Sequence, residues 1–204
     1  MNTHTDISLS GIDKGHHNVT YRGVKCTKAP FDYVLYQMLI HSLQPDLIIE
    51  IGTNEGGSAL YLADLLEHNG KGVVHTIDIA DRVAAGIKAD SRIQFFGEGW
   101  EAYDTALADG FKTVLIIEDS SHTYENTLAV MNKFAPLVTP GSYFIIEDGI
   151  VDALGVAAQF NGGPVRAIKE FLQTTDDFVN DIYWTDFFGK NATFNTIGYL
   201  KKIK

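Results

Sequence analysis

The stretch DLIIEIGTNEGGSALYLADLL, residues 46–66, joins a short apolar run to a glycine-rich turn and then to residues with helical spacing. LIIEIG (47–52) is too short for a helix and too uniformly apolar for a half-exposed strand, which is the signature of a parallel strand covered on both faces. Gly52 and the Gly56-Gly57 pair let the backbone turn sharply without a Cβ in the way, and Ser58 stands where it can cap the following helix. Strand, glycine turn and helix in this order predict the opening unit of a doubly wound α/β sheet.

The same alternation continues outward. VVHTIDI (73–79), RIQFFG (92–97), TVLIIED (113–119) and SYFIIEDG (142–149) are further short runs rich in Ile, Val and Phe. Between them GSALYLADLLEHNG, EAYDTALADG and TYENTLAVMNKF carry apolar residues at helical spacing with Gly or Asn stops at or near their ends, so right-handed crossovers are expected. The tail breaks the rule: FVNDIYW (178–184) and FNTIGYL (194–200) are separated by a segment too short for a crossover helix, which predicts an antiparallel pair at a sheet edge. FDYVLYQMLIHSL (31–43) reads as a helix before the first strand. Residues 1–20 are expected to form a mobile N-terminal arm, with residues 21–204 as a single domain.

Composition narrows the partners. The chain has 204 residues, 45% hydrophobic and 21% charged, with formal charge -10 from 16 Lys and Arg against 26 Asp and Glu. That balance argues against nucleic acid and anionic membranes and favours a small molecule. The single cysteine, Cys26, rules out an internal disulfide. No apolar run reads as a signal peptide or a bilayer span, so a cytoplasmic location is expected; self-association into a homo-oligomer is left open.

Two clusters carry chemistry. Glu50, Gly52, Thr53 and Ser58 surround the first turn, and Asp78 ends the second run, where a carboxylate can accept both hydroxyls of a ribose. An adenosine-containing cofactor is therefore expected over the first two strands. Glu50, held between Ile49 and Ile51, must accept hydrogen bonds or face a cation, and an acidic residue two before the glycine suits S-adenosylmethionine better than a dinucleotide. A dinucleotide oxidoreductase, or a cofactor-binding protein without turnover, would use the same turn.

The second cluster is IIEDSSHTYEN (116–126). Asp119 ends the fourth run and Glu147-Asp148 end the fifth, so three carboxylates gather on one rim. Like charges so close repel unless something positive lies between them, and an all-oxygen set suits a divalent cation of the Mg²⁺ type. Asp119 also reads as a helix cap. His122 follows on the loop, where an imidazole can take a proton from an oxygen at the cation. Glu118 is expected to point to the other side of the strand end, into a salt bridge. Tyr21, Lys28 and Asp32 read either as groups that close over a substrate or as surface charges.

YRGVKCTKAPFDYVLYQMLIHSLQPDLIIEIGTNEGGSALYLADLL, EDSSHTYENTLAVMNKFAPLVTPGSYFIIEDGI and GGPVRAIKEFL together resemble the cephalosporin hydroxylase and rhamnosyl O-methyltransferase family. The similarity spans about residues 21 to 201. The resemblance implies a Rossmann-like class I methyltransferase domain with a seven-stranded, mostly parallel sheet of order 3-2-1-4-5-7-6 and an antiparallel last strand. It implies S-adenosylmethionine as cofactor, with Glu50, Gly52, Ser58 and Asp78 holding it and Gly97 and Glu98 near the adenine. It also implies a metal triad of Asp119, Glu147 and Asp148, His122 as base, and a hydroxyl of a sugar or antibiotic as acceptor.

Overall fold

The structure is a computed structural model describing residues 7–204. The chain opens with α1 (Leu9–His16), a hairpin of β1 (Thr20–Tyr21) and β2 (Val24–Lys25), and α2 (Pro30–Leu43). The alternating part follows as β3 (Leu47–Ile51), α3 (Gly57–His68), β4 (Val73–Ile77), α4 (Ala85–Lys88), β5 (Ile93–Phe96), β6 (Val114–Glu118), α5 (Tyr124–Phe134) and β7 (Tyr143–Ile146). It closes with α6 (Gly163–Thr174), β8 (Phe178–Asn180), α7 (Ile182–Thr185) and β9 (Tyr199–Lys202).

Among the described residues seven strands make the central sheet, in the order β5-β4-β3-β6-β7-β9-β8. β3 lies parallel between β4 and β6, with Glu50 opposite Thr76 on one side and Ile117 on the other. β9 runs antiparallel to both of its neighbours, pairing Phe144 with Leu200 and Phe178 with Lys202. The order 3-2-1-4-5-7-6 with an antiparallel terminal strand is therefore present.

Side chains alternate across the sheet, as period two requires. Ile48, Leu115, Ile117 and Ile145 face Leu35, Leu39 and Leu62 of α2 and α3. Leu47, Ile49, Ile116 and Phe144 face Val130, Phe134 and Ile168 of α5 and α6. Every residue of β3 and β6 is buried, which explains why those runs carry almost no polar residue except at their ends.

The tail strands are shorter than the sequence suggests. Asp32, fully buried on α2, accepts hydrogen bonds from the Thr193 hydroxyl and from Phe194 N (3.1 Å). The start of FNTIGYL is thereby held as a loop. Asp181 accepts from Tyr183 N (3.1 Å) and starts α7 where FVNDIYW was expected to extend. Burial raises the Asp32 carboxyl to about 6 against the pull of those hydrogen bonds. Asp32 is thus an anchor inside the fold, not a surface charge.

Of the expected arm, residues 1–6 lie outside the described residues. Leu9–His16 form a helix capped by Ser8, whose hydroxyl accepts from Gly11 N (3.2 Å). Its last residue, His16, is buried edge-on against Phe194, ring centroids 4.9 Å apart. No helix of the described residues is long and apolar enough to cross a membrane.

Candidate active site

A cavity of about 940 Å³ opens over the carboxyl ends of β3, β4, β6 and β7. This is the crevice where doubly wound sheets bind ligands, and the volume lies in the upper range for small-molecule sites. Gly52, Thr53, Asn54, Ser58 and Asp78 line one half, and Asp119, His122 and Asp148 line the other.

Gly52 is fixed by packing as much as by any ligand. Its φ is +106°, and a Cβ there would stand 1.9 Å from the Asp119 carbonyl oxygen. The two turns that build the two halves of the site are therefore in backbone contact. Gly57 fills a similar place beneath the hairpin, where a Cβ would meet the Lys25 carbonyl at 2.2 Å.

Asp78 is aimed by the turn it faces. Its Oδ2 accepts from Asn54 N (2.8 Å) and its Oδ1 from Ala80 N (2.9 Å). A carboxylate has about four acceptor positions, so each oxygen keeps capacity for a ligand hydroxyl. Beside it Ile79 is 83% exposed at the cavity and Trp100 forms another part of the wall. Gly97 and Glu98 are exposed and lie off that wall, whose residues after β5 are Gly99, Trp100 and Glu101.

Glu50 lies beneath the cavity floor, completely buried. Thr53 hydrogen-bonds Thr76 (2.7 Å), and Thr76 donates to Glu50 Oε2 (2.6 Å), which links the cavity wall to the carboxyl. Among the described residues Oε1 has no partner, and burial raises the group to about 7. Ser58 lines the cavity from the first turn of α3 instead of capping it; the cap position is Gly56.

The second half of the site departs most from expectation. Lys28 is 4% exposed, and its Nζ lies 2.5 Å from Asp119 Oδ2 and 2.6 Å from Glu147 Oε1. Tyr36 donates to the same Glu147 oxygen at 2.6 Å. Burial alone would discharge the lysine, but Asp119, Glu147 and Glu50 outweigh it and hold its pKa well above the ordinary value. Part of the positive charge demanded by the carboxylates is therefore supplied by the chain itself.

Donor atoms of Asp119, His122 and Asp148 lie within 4.8 Å of one another. His122 Nε2 is 3.3 Å from Asp148 Oδ2. Both residues hold left-handed backbone, φ +57° and +56°, a conformation that costs a non-glycine residue about 1–3 kcal/mol and concentrates at functional sites. Asp119 caps no helix: α5 starts after Thr123 without a side-chain cap. Two carboxylates and an imidazole are thus grouped, whereas Glu147, the third carboxylate of the expected triad, stands outside this group with its Oε1 on Lys28 and Tyr36, and burial raises its carboxyl well above the ordinary range.

Glu118 lies on the α5 side, 2% exposed. Among the described residues it makes no ion pair; Ser120 donates to its Oε1 at 2.8 Å. Asn126 donates to Ser120 (2.7 Å) and accepts from Trp100 Nε1 (3.0 Å). This chain of bonds ties the loop after β6 to the wall that carries Trp100. Sequence reasoning gave no role to Trp100, Asn126 or Tyr36, and nothing local singles them out.

The sheet order, the antiparallel β9 and the crevice over the parallel strand ends define a class I methyltransferase fold. Residues 14–203 match the family Rhamnosyl O-methyltransferase/CmcI. A rhamnosyl O-methyltransferase of Mycobacterium leprae (strain TN) is 30% identical over 194 residues, covering 90% of this chain and 83% of that protein. A rhamnosyl O-methyltransferase of Mycobacterium tuberculosis (strain ATCC 25618 / H37Rv) is 32% identical over 171 residues, 79% of this chain and 68% of its own length. Among solved structures, a CmcI chain with SAH superposes with a TM-score of 0.72 at 20% identity, over all of this chain and 96% of that one. A CmcI chain with Mg and SAM gives 0.68 at 22% identity, over 92% of this chain and 78% of that one; at such identities the likeness concerns the fold. The chain belongs to the rhamnosyl O-methyltransferase/CmcI family and is an S-adenosylmethionine-dependent O-methyltransferase.

Proposed function

We propose that the chain methylates a hydroxyl of a sugar or other natural-product acceptor, with a divalent cation of the Mg²⁺ type at Asp119, Glu147 and Asp148 and with His122 as base. The observation that carries this reading is the meeting of two half-sites in one cavity: a ribose-type carboxylate beside a glycine turn, and a carboxylate–imidazole cluster in backbone contact with it. The mycobacterial relatives are named for rhamnosyl acceptors, and one CmcI structure holds Mg and SAM.

Asp78 binds the ribose hydroxyls through its remaining lone pairs, while Ile79 and Trp100 offer apolar surface to the adenine. Thr53, backed by Thr76 and Glu50, faces the amino-acid end. S-adenosylmethionine supplies a methyl group on a sulfonium, which becomes a neutral thioether when the carbon–sulfur bond breaks. A divalent cation, when bound, makes the acceptor hydroxyl more acidic and orients it. His122 receives the hydroxyl proton at Nε2, where Asp148 stabilises the imidazolium as it forms. Phe160, Leu154, Val156 and Phe194 wall the rest of the cavity and, with α1, exclude water from the acceptor.

Calorimetric titration with S-adenosylhomocysteine, using NADH as control, tests the cofactor reading; NADH binding in its place would return the site to oxidoreductase chemistry. Asp78→Ala is expected to weaken S-adenosylhomocysteine about 100-fold, since it removes hydrogen bonds from a charged acceptor worth roughly 1.5–3 kcal/mol each. Unchanged affinity would remove Asp78 from the ribose. His122→Asn is expected to lower kcat by about 10²- to 10⁴-fold with cofactor affinity retained, measured as methyl transfer from labelled cofactor to rhamnosides at saturating Mg²⁺. Wild-type turnover would leave His122 without the role of base.

A further inference from the structure

Lys28 comes from the strap between β2 and α2, far along the chain from its partners, yet its ammonium is packed between Asp119 and Glu147 at 2.5 and 2.6 Å. These are two of the three carboxylates proposed to hold the divalent cation. The third, Asp148, faces the cavity with His122. Glu147 is only 4% exposed and its Oε1 also takes the Tyr36 hydroxyl, so it points into the protein and is already saturated on that atom.

From this arrangement we infer that Lys28 is the resident counter-cation of the triad and the rival of the divalent cation. The inference rests on the metal reading above and adds to it. With the ammonium in place, Asp119 and Glu147 are neutralised in part and the fold tolerates three clustered carboxylates without a metal. A divalent cation that takes oxygens from both residues meets a fixed positive charge and must push the ammonium off Asp119. Lys28 therefore weakens metal binding while it keeps the unloaded site folded. A lysine that only braced the two carboxylates for the metal would have the opposite effect on affinity.

The test is calorimetric titration of Mg²⁺ into the S-adenosylhomocysteine-saturated wild-type protein and the variants Lys28→Met, Lys28→Gln and Lys28→Arg, with Tm measured in and out of Mg²⁺. Removing the charge is expected to tighten Mg²⁺ at least tenfold and to make Tm depend more steeply on Mg²⁺; Arg, which keeps the charge, is expected to stay as weak as wild type. Folding of the Met variant only when Mg²⁺ is present would support the inference through the same linkage. Lys28→Gln fills the space and keeps a donor, so it reads the affinity even where Met does not fold. A wild-type Mg²⁺ heat that is unchanged or weakened in the neutral variants would overturn the inference and leave the metal reading standing. Absence of Mg²⁺ binding in wild type and in every variant would overturn both.

Discussion

Asp119→Ala is expected to lower methyl transfer by about three orders of magnitude or more, with S-adenosylhomocysteine affinity changed less than about threefold. The expectation follows from where the side chain points. Its Oδ2 meets the Lys28 ammonium and the residue joins His122 and Asp148 in the donor cluster. None of its side-chain bonds reaches Asp78, Asn54 or Thr53. Loss of one electrostatic group at a reacting centre typically costs about 10²–10³ in kcat, and on the proposed reading the same change removes a donor to the divalent cation. Lys28 keeps Glu147, so the buried charge is not left alone and the variant is expected to fold. Asp119→Asn separates charge from shape: it should fold like wild type and be nearly as inactive as the alanine form. Measurement of kcat against Mg²⁺ beside the S-adenosylhomocysteine titration decides the matter. Turnover near the wild-type rate at saturating Mg²⁺ would remove Asp119 from the reaction.

What the sequence made legible is what is local. LIIEIG and TVLIIED reveal buried parallel strands because both faces are covered, and the glycine turn followed by Asp78 is written within one βαβ unit. The carboxylates of the rim were legible for the same reason, since strand ends of neighbouring units share an edge. Lys28 was not legible. Its partners stand 91 and 119 positions away, and a lone lysine before a helix has the same local pattern whether it is buried or solvated. Asp32 misled in the same way, since its meaning depends on the loop at Thr193 and Phe194. Glu118 was expected in a salt bridge because alternation along the strand turns it to the side opposite Asp119. The fold gives its Oε1 hydroxyl and amide donors, leaves Oε2 without a partner among the described residues, and by burial raises the carboxyl to about 7, none of which a reading of charges alone finds. Gly97 and Glu98, expected near the adenine, stand just before the residues that line the cavity after β5. Gly97 ends the apolar run, but the backbone first turns toward the cavity at Gly99, where φ is +82°.

Gly52→Ala is expected to be among the most destabilising single substitutions in the chain, about 3–5 kcal/mol, by two separate effects. The backbone at φ +106° is a region that an L side chain enters at a cost of roughly 1–3 kcal/mol. The added methyl would also lie 1.9 Å from the Asp119 carbonyl oxygen and 2.5 Å from its carbon, and overpacking of this kind costs about 1–3 kcal/mol more. The obstacle is backbone, so no rotamer relieves it; the turn after β3 and the turn after β6 must part. Gly70→Ala isolates the first effect, because its φ is +76° and, among the described residues, nothing lies within 4 Å of the new Cβ. For a domain of this size each kcal/mol lowers Tm by about 2–4 °C, so Gly52→Ala should melt roughly 10 °C below wild type and clearly below Gly70→Ala. Whatever Gly52→Ala protein remains folded should be impaired in both cofactor affinity and Mg²⁺ binding, since the shared contact positions both halves of the cavity. Equal Tm losses for the two variants would show that the turns are not in contact, and a loss of cofactor affinity alone would show that they are not coupled.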